Sequence, residues 1–122
     1  MDALEAARCG DTVALSEIIR KGELDVADKN GTTPLMAAAD AGRLDILKLL
    51  LRTSIALNAQ DKWGQTALMM AAGRGDADTV RVLIAAGANI HLMSRNGSTA
   101  LAYALGKGAR EAARLLRQAG AK

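Results

Sequence analysis

Apolar side chains recur along the chain at the spacing of an amphipathic helix. Leu44, Leu47 and Leu51 fall on one face of such a helix, and their apolar neighbours flank that face. A shorter stretch rich in alanine, residues 35–39, precedes this stripe, and Gly42 separates the two. Aromatic residues make up only 2% of the chain, so strands, which favour aromatic and β-branched side chains, are not predicted. The pattern instead predicts pairs of packed helices.

The helix-pair pattern repeats every 33 residues. Asp28, Asp61 and Ser94 begin three aligned units, because 61 − 28 = 33 and 94 − 61 = 33. The same step relates columns of threonine, leucine, alanine and glycine, among them Thr33, Thr66 and Thr99, Leu35, Leu68 and Leu101, Ala38, Ala71 and Ala104, and Gly42, Gly75 and Gly108. Residues 1–27 form a weaker copy, so the chain is predicted to consist of four units.

Capping residues mark the ends of the predicted helices. Thr33 can cap the first helix of its unit with its hydroxyl, and Pro34 suits the first helical position, where no N–H is needed. Asp11 and Asp76 can cap the second helices of their units. A glycine usually follows the second helix as well, but Ser54 takes that place in the second unit. We therefore expect a local loss of stability at Ser54.

The stretch Gly31-Thr32-Thr33-Pro34-Leu35-Met36-Ala37-Ala38-Ala39 resembles the ankyrin repeat, whose signature is a turn, Thr-Pro-Leu-His, an alanine pair, a glycine and a late Leu-Leu. The resemblance implies an all-α fold, an α-α solenoid of four ankyrin-like helix-turn-helix repeats with short hairpin-like fingers, right-stacked into a slightly curved superhelix. It also implies one ankyrin-repeat domain over residues 1–122, with an N-terminal cap repeat at 1–27, repeats at 28–60 and 61–93, and a C-terminal cap repeat at 94–122.

The histidine that follows leucine in the family's signature is absent from this chain. Met36, Met69 and Ala102 occupy that column. We therefore expect a side-chain hydrogen bond that usually joins adjacent repeats to be missing, with methionine packing as a partial substitute.

Composition and spacing argue against catalysis and against a bound metal or cofactor. The net charge is only +3, and the single cysteine, Cys9, excludes an internal disulfide and a cysteine-rich metal site. The single histidine, His91, belongs to the third unit, two layers of helices from Cys9, so the two cannot form a catalytic pair. The sequence shows no signal peptide and no apolar stretch long enough to span a membrane. We expect a cytoplasmic monomer that is not an enzyme.

Proteins of the ankyrin family often bind partners on a concave surface made of finger tips and first helices. Carried over position by position, this resemblance predicts a partner-binding set that consists of Lys29, Asn30, Thr32, Asp40, Lys62, Trp63, Gln65, Arg74, Arg95, Asn96, Ser98 and Lys107. Trp63 stands in a column that is Asn30 and Asn96 in the sister units, so it is not a core residue. Its position favours an exposed binding hot spot, and the alternative is a tryptophan folded over its own finger. Tyr103, in a first-helix column, is expected to be packed.

The charges of this predicted surface are mostly positive. Lys29, Lys62 and Arg95 share one column, and Asp40 is the only acid in the set. These charges predict a protein partner with an acidic surface or an acidic peptide. Two alternatives stay open. One is an engineered ankyrin-type binding protein or scaffold, which clean caps and a compact length suggest. The other is nucleic-acid binding through a basic ridge, which the scarcity of stacking aromatics disfavours.

Overall fold

The computed structural model describes residues 1–24 and 26–122, and this part of the chain contains eight α-helices and no strand. The helices are α1 (Ala3–Cys9), α2 (Thr12–Lys21), α3 (Pro34–Ala41), α4 (Leu44–Leu51), α5 (Ala67–Arg74), α6 (Ala77–Ala85), α7 (Ala100–Lys107) and α8 (Arg110–Gln118). Each odd-numbered helix packs against the even-numbered helix that follows it. The first helices α1, α3, α5 and α7 also pack in series, as do α4, α6 and α8. The predicted all-α solenoid is therefore confirmed.

The predicted caps account for where most of the helices begin and end. The hydroxyls of Thr33, Thr66 and Thr99 each accept a hydrogen bond from the backbone N–H three residues later. Consequently α5 and α7 begin at the same column as α3, although only α3 has proline there. The carboxylates of Asp11 and Asp76 cap α2 and α6 in the same way. A glycine with positive φ follows every first helix.

Small side chains let the first helices approach one another closely. Ala38, Ala71 and Ala104 are fully buried between neighbouring helices, so nothing larger separates the backbones there. Met36 and Met69 are also buried, in the column where the family carries histidine. The methionines thus fill the space with apolar atoms, as expected.

Other hydrogen bonds join the units where the family's histidine is missing. Guanidinium groups do this twice, since Arg43 Nε donates to the carbonyl oxygen of Arg8 at 3.1 Å and Arg74 Nη1 donates to that of Asp40 at 2.9 Å. The side-chain amide of Gln60 makes a third bond between units, because its Nε2 atom donates to the Met93 carbonyl oxygen at 3.0 Å. Side chains other than histidine therefore tie the stack together.

Ser54 does not adopt the conformation for which glycine is favoured. Among the residues that the structure describes, only glycines have positive φ, including Gly22 and Gly87 after α2 and α6. After α4 the chain takes another route, in which the Thr53 hydroxyl donates to the Leu50 carbonyl and accepts from the Ile55 N–H. No left-handed strain therefore arises at Ser54.

Candidate functional site

The three fingers between the helix pairs are held in shape from inside. The Asp28 Oδ1 atom accepts hydrogen bonds from the N–H groups of Asn30 and Thr32, at 2.9 and 3.0 Å. In the second finger Asp61 binds the N–H groups of Trp63 and Gln65 in the same way, at 3.0 and 2.9 Å. One carboxylate therefore fixes each of these finger tips, because it satisfies two backbone donors at once.

The last finger reaches the same shape with different chemistry. Ser94 stands in the aspartate column and is too short to span the finger. Its hydroxyl donates instead to the Asn96 Oδ1 atom, which also accepts from the Ser98 N–H at 3.2 Å. The asparagine at this tip is thus occupied in holding its own finger.

The fingers are also bonded to one another. The N–H of Lys62 donates to the Asn30 carbonyl oxygen, and the N–H of Arg95 donates to the Trp63 carbonyl oxygen, both at 2.9 Å. Gly64 has φ of +76°, and a Cβ atom added to it would lie 2.9 Å from the Arg95 nitrogen. The close approach therefore depends on glycine. The three fingers therefore form one continuous hydrogen-bonded edge along the stack, which we call the finger edge.

Trp63 stands at the middle of this edge with 49% of its surface exposed. The Lys62 Nζ atom lies 4.6 Å from the centroid of its ring, which is within the range of a cation–π contact. Trp63 is therefore half-exposed, with the ammonium group of its neighbour over the ring.

The twelve residues predicted from the sequence divide by exposure. The exposed ones are Lys29, Asp40, Lys62, Trp63, Arg74, Arg95, Asn96 and Lys107. The half-buried ones are Asn30, Thr32, Gln65 and Ser98. None of the twelve lies in the buried core, so all are accessible at least in part.

Two basic side chains at the ends of first helices, Arg8 of α1 and Arg74 of α5, are engaged within the protein. Arg8 forms an ion pair with Asp28 at 3.4 Å, and Arg74 binds the Asp40 carbonyl oxygen. The hydrogen bond from the Thr32 backbone, together with those from Asn30 and Arg8, lowers the pKa of Asp28 despite some desolvation. In the described part of the chain, Lys29, Lys62, Arg95 and Lys107 form no ion pair. Within the predicted set, the positive charge that makes none of these contacts therefore lies along the finger edge and at the end of α7.

Tyr103 belongs to this surface although the sequence predicted only that it is packed. Its hydroxyl oxygen accepts a 3.2 Å hydrogen bond from Gln65 Nε2, and its ring lies against Gly73, where an added Cβ atom would be 3.7 Å from Tyr103 Cδ1. The signal in the sequence is the glycine at position 73, which leaves room for a ring from the next unit. Tyr103 is half-buried as a result.

A hollow of about 320 Å³ opens next to this tyrosine. It is lined by Gly73, Ser98, Ala102, Tyr103, Gly106 and Lys107. Two of these, Ser98 and Lys107, belong to the predicted set. A larger hollow of about 690 Å³ lies elsewhere, on the outer face of α7 and α8, where Leu105 is 50% exposed among several arginines. That face holds none of the twelve predicted residues.

Side chains that could bind a metal ion do not cluster among the residues that the structure describes. Over positions 1–24 and 26–122, no three His, Cys, Asp or Glu side chains are placed to hold a metal ion. Cys9 is exposed and carries a free thiol. Within the same part of the chain, no helix has both the length and the apolar character needed to cross a membrane.

Comparison with known proteins places these features in a wider group. Residues 3–61 and residues 54–122 each match a family model that is described as three copies of the ankyrin repeat. A stretch of 58 residues is 33% identical to alpha-latrotoxin-Lh1a of Latrodectus hasselti, and it covers 45% of this chain and 4% of the toxin. The chain thus corresponds to a small part of that relative's length.

Proposed function

This chain belongs to the ankyrin repeat family, and from that premise we propose that it binds a protein partner through its concave surface, the side formed by the finger tips and the first helices. Ankyrin repeats are in general protein–protein interaction modules and are typically not enzymes. The residues that would contact the partner, and the kind of partner that they would favour, are specific to this chain.

The proposal rests on Trp63, which is half-exposed while its backbone is held by hydrogen bonds. The residue is 49% exposed, yet its backbone N–H donates to the Asp61 carboxylate and its carbonyl oxygen accepts from the Arg95 N–H. A large aromatic side chain on a fixed backbone loses little conformational freedom when it is buried by a partner. Tryptophan at the centre of an interface is also among the residues that most often dominate binding energy. Trp63 therefore has the properties of an anchor.

The charges around Trp63 support an acidic partner. Lys29, Lys62 and Arg95 follow one another along the finger edge and form no ion pair within the described residues. Lys107 adds a further positive charge at the end of α7. A partner with carboxylates in register with this edge would associate faster and would be preferred over a basic one.

The test begins by identifying a partner in a pull-down with tandem mass spectrometry. Wild type is compared with a double variant carrying Trp63→Ala and Lys62→Glu. Purified partner is then titrated against each protein. We expect Trp63→Ala to weaken binding at least tenfold, as hot-spot truncations do, and the affinity to fall as salt is raised.

Val13→Ala is the matched control. Val13 is 81% exposed on α2, outside the predicted set, so its truncation also removes an exposed apolar side chain. We expect no change in affinity for this variant. Equal binding by wild type and Trp63→Ala, with both proteins folded, would remove Trp63 from the interface. An affinity that does not change with salt would contradict the proposal that the partner's surface is acidic.

A further inference from the structure

The floor of the concave surface changes along the stack. One column at the end of the first helices reads Arg8, Asp40, Gly73 and Gly106 in the four units. The first two carry charged side chains, and Arg8 closes its part of the surface further through the ion pair with Asp28. The last two carry no side chain at all. In this column, side chains are therefore missing only from α5 and α7.

Tyr103 provides a fixed wall for this bare region. Gln65, on the second finger, binds its hydroxyl at 3.2 Å, and the Gly73 backbone supports its ring. These two contacts hold the ring beside the hollow. Ala102 and Gly106 complete the apolar part of the hollow, whose volume of about 320 Å³ is at the lower end of the range in which proteins hold small molecules.

The polar part of the hollow carries positive charge. Lys107 and Ser98 line it, and no acidic residue does. Lys62 and Arg95 extend from the second and third fingers, the fingers that contribute Gln65 and Ser98. An apolar group in the hollow would therefore be surrounded by donors and cations rather than by carboxylates.

We infer that this hollow, which we call the Tyr103 pocket, holds one apolar side chain of the partner, and that carboxylates flank that side chain in the partner's sequence. The inference rests on the proposed function, because it concerns the same concave surface. The occupant is an extended segment of a protein partner. Its apolar side chain lies on the Gly106 floor against Tyr103, and its acidic neighbours reach Lys107 and the finger edge.

Gly106→Leu tests the pocket without endangering the fold. Gly106 lies inside α7, has no positive φ, and has no atom within 4 Å of an added Cβ. Leucine is also the better helix former, so the variant should be at least as stable as wild type. A structural defect would lower stability, whereas filling the pocket removes binding and leaves stability intact. Ser16→Leu adds a leucine to the exposed face of α2 and is the control.

The probe is a library of random twelve-residue peptides displayed on phage and selected on wild-type protein. Enriched peptides are synthesised with a fluorophore and titrated against each variant by polarisation. We expect the enriched sequences to share an apolar residue next to Asp or Glu. We also expect Gly106→Leu to weaken their binding about tenfold or more, since a buried apolar side chain is lost from the complex. Ser16→Leu should bind like wild type.

A double-mutant cycle then locates the apolar residue of the peptide. Replacing it with alanine should weaken binding to wild type and have little further effect on Gly106→Leu. The inference is overturned if no peptide is enriched, if the enriched peptides lack an apolar residue, or if they bind Gly106→Leu as tightly as wild type. Peptides that bind Gly106→Leu as tightly as wild type but no longer bind Trp63→Ala would refute the Tyr103 pocket and leave the concave surface as the binding site. Peptides unaffected by both changes would refute the concave surface as well.

Discussion

The guanidinium group of Arg74 donates a 2.9 Å hydrogen bond to the carbonyl oxygen of Asp40, which lies near the C-terminal end of the preceding first helix. The last four carbonyl groups of a helix have no partner within it, and the helix dipole places negative charge there. Arg43 makes the equivalent bond to the Arg8 carbonyl oxygen at 3.1 Å. A cation from each of these two units thus completes the helix end of the unit before it.

This relationship predicts that Arg74 contributes to stability. Arg74→Met keeps most of the aliphatic stem and removes the charge and the donors. We expect the free energy of unfolding to fall by about 1 kcal/mol, the typical contribution of one hydrogen bond. Urea titration followed by circular dichroism measures the change. Lys107→Met is the control, since Lys107 occupies the same column and makes no such bond, and a change within about 0.5 kcal/mol is expected there. Equal losses in the two variants would contradict a special role for Arg74.

The two glycines Gly64 and Gly97 allow the bond between fingers to be tested. Both have positive φ, +76° and +81°, so alanine at either position should cost about 1–2 kcal/mol in backbone strain. Only Gly64 faces another finger, because its added Cβ would lie 2.9 Å from the Arg95 nitrogen, while nothing lies within 4 Å at Gly97. We expect Gly64→Ala to be the more destabilising by at least about 1 kcal/mol in urea titration. Comparable losses would mean that the close approach of the fingers contributes nothing.

The fold could be predicted because its signals are local and repeated. Thr33, Thr66 and Thr99 each cap the helix that they precede, so the sequence around each position determines where the helix begins. The repeat then places the helices side by side without any further information. Ser54 is the exception, because the route that the chain takes there depends on the Thr53 hydroxyl rather than on a glycine.

The candidate site was only partly accessible to the same reasoning. Comparison of columns predicted that Trp63 is outside the core, and it is 49% exposed. The bond between Gln65 and Tyr103 could not be predicted, because it joins side chains 38 residues apart whose directions depend on how two units stack. Arg74 was expected to project toward a partner, and its direction toward Asp40 depends on the same stacking. Contacts between side chains of different units therefore cannot be predicted from the sequence pattern alone.

Asp28 predicts a dependence of stability on acid pH. Hydrogen bonds, the largest effect coming from the Thr32 backbone, lower the pKa of Asp28 in the folded state below its value in the unfolded chain. The stabilisation is therefore complete above the unfolded pKa of about 3.9 and is lost as pH falls through the lowered folded pKa. Asp28→Asn can keep the acceptor oxygen and remove the charge.

Urea midpoints for wild type and Asp28→Asn, measured from pH 7 down to pH 2.5, test this dependence. We expect wild type to be the more stable protein at neutral pH and its advantage to shrink below about pH 4. An advantage that stays constant through this range would show that the charge of Asp28 has no part in holding the first finger.

The hydrogen bond between Gln65 and Tyr103 is open to a double-mutant cycle. Tyr103→Phe removes the hydroxyl and keeps the ring against Gly73, while Gln65→Met keeps the length of the side chain and removes its amide. Each single change should lower the free energy of unfolding by roughly 0.5–1.5 kcal/mol, because both groups are half-buried. The double variant should lose less than the sum, by about 0.5 kcal/mol or more, since the second change removes a bond that is already broken. Additive losses would mean that the two side chains do not hold each other, and the wall of the Tyr103 pocket would then depend on ring packing alone.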